Sequence, residues 1–195
     1  MTDTMHEGST GKRIDGVIVP TPGTYVIDPS HTRAGFVAKH LMVTKVRGAF
    51  GEIEASVTIP DDPMQASAEA SMTTASITTG SADRDAHLKS GDFLEIEKYP
   101  VVTYRSTGIS GVKDGVFTVQ GELTIKDVTR PIELAVEIDG VATDPWGGER
   151  MSLTARGEID REEFGLTWNV ALESGGVLVS KKVTLEIEAQ GVRQV

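Results

Sequence analysis

Glu52-Ile53-Glu54-Ala55-Ser56-Val57-Thr58-Ile59, followed at once by Pro60-Asp61-Asp62-Pro63, decides the fold class of this chain. Apolar residues at 53, 55, 57 and 59 alternate with polar ones at 52, 54, 56 and 58. Successive side chains of a strand point to opposite faces, so the stretch offers one face to a core and one to water. A proline cannot donate to a ladder, and the strand ends at Pro60. The same alternation returns at Phe117, Val119, Leu123 and Ile125, at Leu134, Val136 and Ile138, at Leu153, Ala155 and Ile159, and at Val183, Leu185 and Ile187. Shorter strands are predicted at residues 24–27, 35–39, 66–74 and 101–109, with tight turns at Asp114-Gly115 and Asp139-Gly140.

One segment breaks the pattern. Ser81 can cap a helix, Asp83 suits its positive end, Lys89 its last turn, and Gly91 can take the left-handed conformation that stops it. A short helix is predicted near residues 81–90, and Asp92-Phe93-Leu94-Glu95 has the spacing of a capping box for a second turn. About eight amphipathic strands without strand–helix–strand alternation can bury their apolar faces as a two-sheet sandwich or as a closed barrel. Periodicity does not choose between them. Ala66, Ala68, Ala70 and Met72 put small side chains on one face, which either leaves space for a ligand or lets a neighbouring element approach closely.

The composition bounds the function. A chain of 195 residues, 38% hydrophobic and 25% charged, suits one globular core. A net charge of −10 repels phosphate backbones, so nucleic acid is not expected as a partner. There is no cysteine, which removes disulfides, thiolate nucleophiles and cysteine zinc sites together. Residues 1–22 read as a polar, flexible tail with one apolar patch, Ile14, Val17, Ile18 and Val19, able to pair as an edge strand or simply dock. The first residues are acidic where a secretory signal would be basic, and no stretch approaches the ~18 apolar residues of a membrane-spanning helix. A soluble, cytoplasmic protein is expected.

Catalytic motifs are missing from the expected places. The histidines, His6, His31, His40 and His87, lack the spacing that sets two imidazoles on one metal, so no metal or other cofactor is predicted. Ser110 does not stand in a Gly-x-Ser-x-Gly elbow, and the glycines form no phosphate-cradling loop. Glutamates 52, 54, 122, 133, 137, 186 and 188 alternate with apolar residues, as a solvated strand face requires.

Six segments, in order, resemble the YceI-like family: Tyr25-Val26-Ile27-Asp28-Pro29-Ser30-His31; Gly48-Ala49-Phe50-Gly51; the run from Thr79 to Leu88; Asp92-Phe93-Leu94 with Lys98-Tyr99-Pro100; the run from Gly121 to Thr129; and Asp160-Arg161-Glu162-Glu163-Phe164-Gly165-Leu166. The resemblance covers residues 23–189 and implies a lipocalin-like antiparallel β-barrel, the domain at 23–195, whose elongated apolar interior binds polyisoprenoids, isoprenoid quinones or related amphiphiles. Two departures stand out. Many relatives begin with a signal peptide, and many carry His-Ser after Asp-Pro where this chain has Ser30-His31-Thr32.

With a barrel implied, the ligand candidates are Phe36, Leu41, Met42, Phe50, Met72, Leu88, Phe93, Leu94, Phe164 and Trp168, with Ala68 and Ala70 on the small-residue face. Any one of them reads first as ordinary core, while as a set they mark the place to look. Arg84, with His87, could clamp a pyrophosphate head group, or Arg84 and Asp85 could tie the helix to the barrel through Arg161 and Asp160. The expected function is non-catalytic binding of a long apolar ligand as carrier, buffer or stress-related sequestering protein, with a homodimer left open. The rival is an isomerase-like enzyme acting on an isoprenoid through Arg84, His87 or His31.

Overall fold

The computed structural model describes residues 12–14, 17–172 and 176–194. Two short strands, β1 (Lys12–Ile14) and β2 (Val17–Val19), pair with each other. The rest is one antiparallel sheet: β3 (Gly23–Ile27), β4 (Arg33–His40), β5 (Thr44–Phe50), β6 (Ile53–Ile59), β7 (Ser67–Thr73), β8 (Ile77–Thr78), β9 (Val101–Lys113), β10 (Val116–Ile125), β11 (Val128–Thr143), β12 (Glu149–Asp160) and β13 (Val179–Arg193). Its order closes on itself, because β12 pairs with β11 on one edge and with β13 on the other.

Eleven labels reduce to eight long strands. One edge of β13 pairs with β4 along Val179–Glu188 and with β3 along Gly191–Arg193, so β3 and β4 are one strand interrupted at Pro29–His31. The β5–β6 break at Gly51-Glu52 and the β7–β8 break at Thr74–Ser76 lie beside each other. Ser76 Oγ accepts from both Gly51 N (3.1 Å) and Glu52 N (3.0 Å), pinning the two breaks together. The ring therefore kinks at one level and remains a closed eight-stranded barrel. The sequence expectation of a lipocalin-like barrel of about eight strands is met.

The one α-helix among the described residues, α1 (Ala82–Lys89), falls where capping chemistry put it. Its ends differ from expectation. Ser81 occupies the N-cap without a side-chain hydrogen bond, and the chain leaves the helix at Ser90, whose N–H donates to His87 O, so Gly91 is not the left-handed stop. Residues 91–94 form a turn, Glu95 takes the left-handed region, and the second helical turn is absent there. Asp114-Gly115 is the expected two-residue hairpin, both residues having positive φ. Asp139-Gly140 instead sits inside β11 at a register shift against β12, where the same permissive pair makes a bulge.

Two packed clusters lie at opposite ends of the barrel. Phe93, Leu94, Val102, Leu123, Ile125 and Phe164 belong to the cluster at the α1 end. Tyr25, Ile59 and Met151 form the other. At that far end Tyr25 donates to Glu149 (2.5 Å) and to Thr21 O (2.8 Å), and Thr21 donates twice to the same carboxylate. These bonds hold the chain before β3 against the barrel, where Val17 and Pro20 are buried. The apolar patch of the stretch read as a tail is thus packed from Val17 to Pro20. Residues 1–11, 15 and 16 lie outside the described residues, and the question of a tail there goes with them.

Acid sensitivity follows from the same end. Hydrogen bonds from Ser30, His31 and Arg150 hold Asp28 well below the usual carboxylate range. The Gly148 N–H and then Arg150 do the same for Asp144. Burial works against the Glu149 carboxylate, but hydrogen bonds from Tyr25 and Thr21 outweigh it and lower its pKa. A group whose pKa is depressed by folding stabilises the protein above its unfolded value and loses that contribution as pH falls through the folded one. The melting temperature is therefore expected to be nearly flat from neutrality to about pH 5 and to fall below about pH 4. Arg150→Gln should flatten the acid limb in the same calorimetric series. An unchanged acid limb would remove Arg150 from this account.

Candidate functional site

The apolar faces of the strands do not meet at the barrel axis. They enclose a cavity of about 360 Å³ walled by residues from all eight long strands, within the roughly 300–1,000 Å³ of small-molecule sites. Its shape follows from side-chain size. Ala55 on β6 pairs with Ala70 on β7, Val57 pairs with Ala68, and Ala34, Gly35 and Ala38 of β4 continue the small-residue wall. Opposite stand Phe117, Val119, Leu123, Leu134 and Val136 of β10 and β11. The space lies against the alanines because nothing on that side reaches across.

Most of the apolar candidates come together here. Phe36, Phe50, Ala68, Ala70, Met72, Leu88, Phe93 and Leu94 all line the cavity. Phe164 is 1% exposed in the cluster below it, and Trp168 packs on that cluster, neither touching the space. Leu41 and Met42 lie outside it altogether. They occupy the exposed turn between β4 and β5, where the hairpin leaves no core to fill.

The polar candidates also lie off the cavity wall. His87 stands edge-on to Trp168 (4.5 Å between ring centroids) and Phe93 (5.1 Å), with Nε2 2.8 Å from Asp92, and so helps close the α1 end. Arg84 is exposed and donates to Thr79 Oγ1 (2.7 Å) and Thr79 O (3.1 Å). Asp85 accepts from Thr79 N, Thr79 Oγ1 and Thr78 Oγ1. The expected partners Arg161 and Asp160 are not used, because α1 packs on β8. His31 is exposed on the turn after Asp28. Arg84, His87 and His31 therefore do not converge at the cavity.

Five further wall residues, Ile18, Val19, Pro20, Arg161 and Tyr104, were given no place in the cavity by the sequence. Ile18, Val19 and Pro20 line the far end. Arg161 reaches the wall at the α1 end, 3% exposed, and donates to Ser180 O (3.0 Å), to Leu166 O and to Val179 O (3.5 Å). Its nearest carboxylate, Glu162, is 4.0 Å away and is also paired with Lys181, and burial lowers the Arg161 pKa. It braces the irregular start of β13. Tyr104, between inward Val102 and Ser106 on β9, contributes to the cavity wall with its ring laid against Gly121, and its hydroxyl is the one buried side-chain polar atom lacking a protein partner among the described residues. Desolvation pushes its pKa up to about 12, so it is a neutral donor. Alternation from Val102 would have pointed Tyr104 inward. Nothing local in sequence shows that its hydroxyl goes unpaired.

A closed antiparallel barrel around an almost wholly apolar cavity defines the class. Within that class the chain belongs to the YceI-like family, whose sequence profile, the YceI-like domain, matches residues 25–191. It is 36% identical over 168 residues to a UPF0312 protein of Staphylococcus aureus strain USA300, an alignment covering 85% of this chain and 95% of that one. The YCEI protein of Campylobacter jejuni superposes with a TM-score of 0.69 at 27% identity, covering 80% of this chain and 90% of the other. A polyisoprenoid binding domain from Saccharophagus degradans shares the fold at a TM-score of 0.62 and 16% identity, covering 87% and 98%.

Proposed function

We propose that this protein binds a long-chain apolar or amphipathic ligand inside the barrel, a polyisoprenoid, isoprenoid quinone or fatty-acid-like molecule, and acts without catalysis as a carrier, buffer or sequestering protein. The cavity carries the reading: an almost wholly apolar space inside the barrel has little use for water and suits a flexible hydrocarbon. The polyisoprenoid-binding neighbour supports the ligand class. Burying ten to twenty methylene equivalents at ~0.8 kcal/mol each yields roughly 8–16 kcal/mol gross, against about 4–15 lost on association. At the favourable end the difference is about 12 kcal/mol, more than the ~8 kcal/mol of micromolar binding, so a long chain can reach that affinity without a charged anchor. Affinity for prenyl alcohols should then rise with chain length until the cavity is full, as read by competition against a fluorescent prenyl probe. A flat series would refute the proposal.

Tyr104 refines the ligand. Its hydroxyl is buried beside Gly121, and if the ring turns toward the cavity on binding it can satisfy itself on a carbonyl or alcohol oxygen but not on a hydrocarbon. Tyr104→Phe should stabilise the unliganded protein by about 1 kcal/mol, since an unpaired buried hydroxyl is removed. The same change should weaken a prenyl quinone about tenfold while leaving squalene unaffected. Equal losses for both would make Tyr104 a packing residue only.

A further inference from the structure

The turn joining β4 to β5 is built against local preference. Leu41 and Met42 take φ of 52° and 60° at the centre of a tight turn that Asn-Gly would normally fill. Left-handed backbone is unfavourable for both side chains. Yet both are about half exposed, and Val43 beside them is 82% exposed. Leu41 N donates to Leu178 O and Leu178 N to Val170 O, which brings the exposed Val170 onto the same end of the barrel. Strain and exposed apolar surface together at one apex call for something to cover it.

The charge around this apex is also out of keeping with the chain. From Pro29 to Gly51 there are four cations, Arg33, Lys39, Lys45 and Arg47, and no Asp or Glu, within a protein of net charge −10. Lys39 stands directly opposite Lys45 in the ladder, a like-charge pairing that destabilises a hairpin left to itself. Lys39, Lys45 and Arg47 are exposed and enter no ion pair among the described residues. Glu173, between Val170 and Leu178 in sequence, lies outside the described residues.

We propose that the β4–β5 hairpin docks on an anionic phospholipid bilayer, with Leu41, Met42 and Val43 entering the interface and Lys39, Lys45 and Arg47 meeting the phosphates. Charge complementarity selects this occupant. A second copy pairing along the free edge of β5 would set cation against cation, and a neutral apolar partner would leave the lysines unanswered. Phe36 of β4, on the cavity wall, lies four residues from His40, a rise of about 13 Å. Docking would bring the α1 end of the cavity to the lipid from which an apolar ligand comes. The surface stands whether or not the cavity reading holds.

The test is co-sedimentation of the full chain with phosphatidylcholine vesicles, alone or mixed with phosphatidylglycerol. Binding is expected on the anionic vesicles only and should be lost at high salt. Lys39→Gln/Lys45→Gln/Arg47→Gln should lower it about 100-fold, near fivefold per cation. Leu41→Asn/Met42→Gly is the more telling variant. It gives the turn its preferred residues, so the melting temperature should hold or rise while vesicle binding falls at least tenfold. Prenyl-probe titration of each variant reads the cavity separately. No binding to anionic vesicles, or equal binding by wild type and Leu41→Asn/Met42→Gly, overturns the proposal. So does a concentration-dependent dimer that this variant abolishes.

Discussion

Ala70→Trp should cut the affinity for a fluorescent prenyl probe at least about 100-fold while changing stability by less than about 1 kcal/mol. Ala70 faces the cavity from β7, between Ala55 on one neighbour and Tyr104 on the other, so an indole there points into open apolar space. Its volume is taken from the ligand and not from packed side chains. Were the alanine wall pressed against solid core, the same change would overpack it and cost about 1–3 kcal/mol. Ser71→Trp is the control. Ser71 belongs to an outer groove with Thr103 and Arg105, and an indole there should leave the probe bound. A titration beside a denaturant melt separates the outcomes; a blocked probe in Ser71→Trp with an open Ala70→Trp would reverse the strand's faces.

Arg161→Met should be the most destabilising single change that leaves the alanine wall untouched. The side chain stays long and apolar, but Ser180 O and Leu166 O lose their donor in a site that water does not reach. Leaving buried carbonyls unpaired costs about 1–3 kcal/mol each, so a total near 3–5 kcal/mol is expected. For a chain of this size that lowers the melting temperature by roughly 10 °C. Arg161→Lys should recover only part, because one ammonium cannot span three carbonyls. A loss within 1 °C for Arg161→Met would mean that β13 is held by its ladder alone.

Much of the barrel was legible because its physics is local. Period-two alternation requires only neighbours, so Ile53–Ile59 and its later counterparts could be read one at a time. The inward alanines were legible for the same reason, although only the assembled ring shows that they border space. Asp139-Gly140 misled because a permissive dipeptide serves a bulge as well as a turn. Leu41 and Met42 misled because apolar residues are ordinarily core, and their placement at an exposed apex depends on where the hairpin ends relative to the barrel. The closure itself joins residue 26 to residue 192, a separation at which no sequence pattern speaks. Arg161 drew no separate reading because its acceptors are main-chain carbonyls, exposed to it only by the irregularity between Val179 and Val183.

Native mass spectrometry of freshly purified protein, followed by extraction and identification of what it releases, tests the occupied barrel most directly. One bound molecule per chain with a prenyl or other long hydrocarbon tail is expected, and it should be absent from Ala70→Trp prepared the same way. Protein that emerges empty, and that then fails to take up any prenyl probe, would contradict the account.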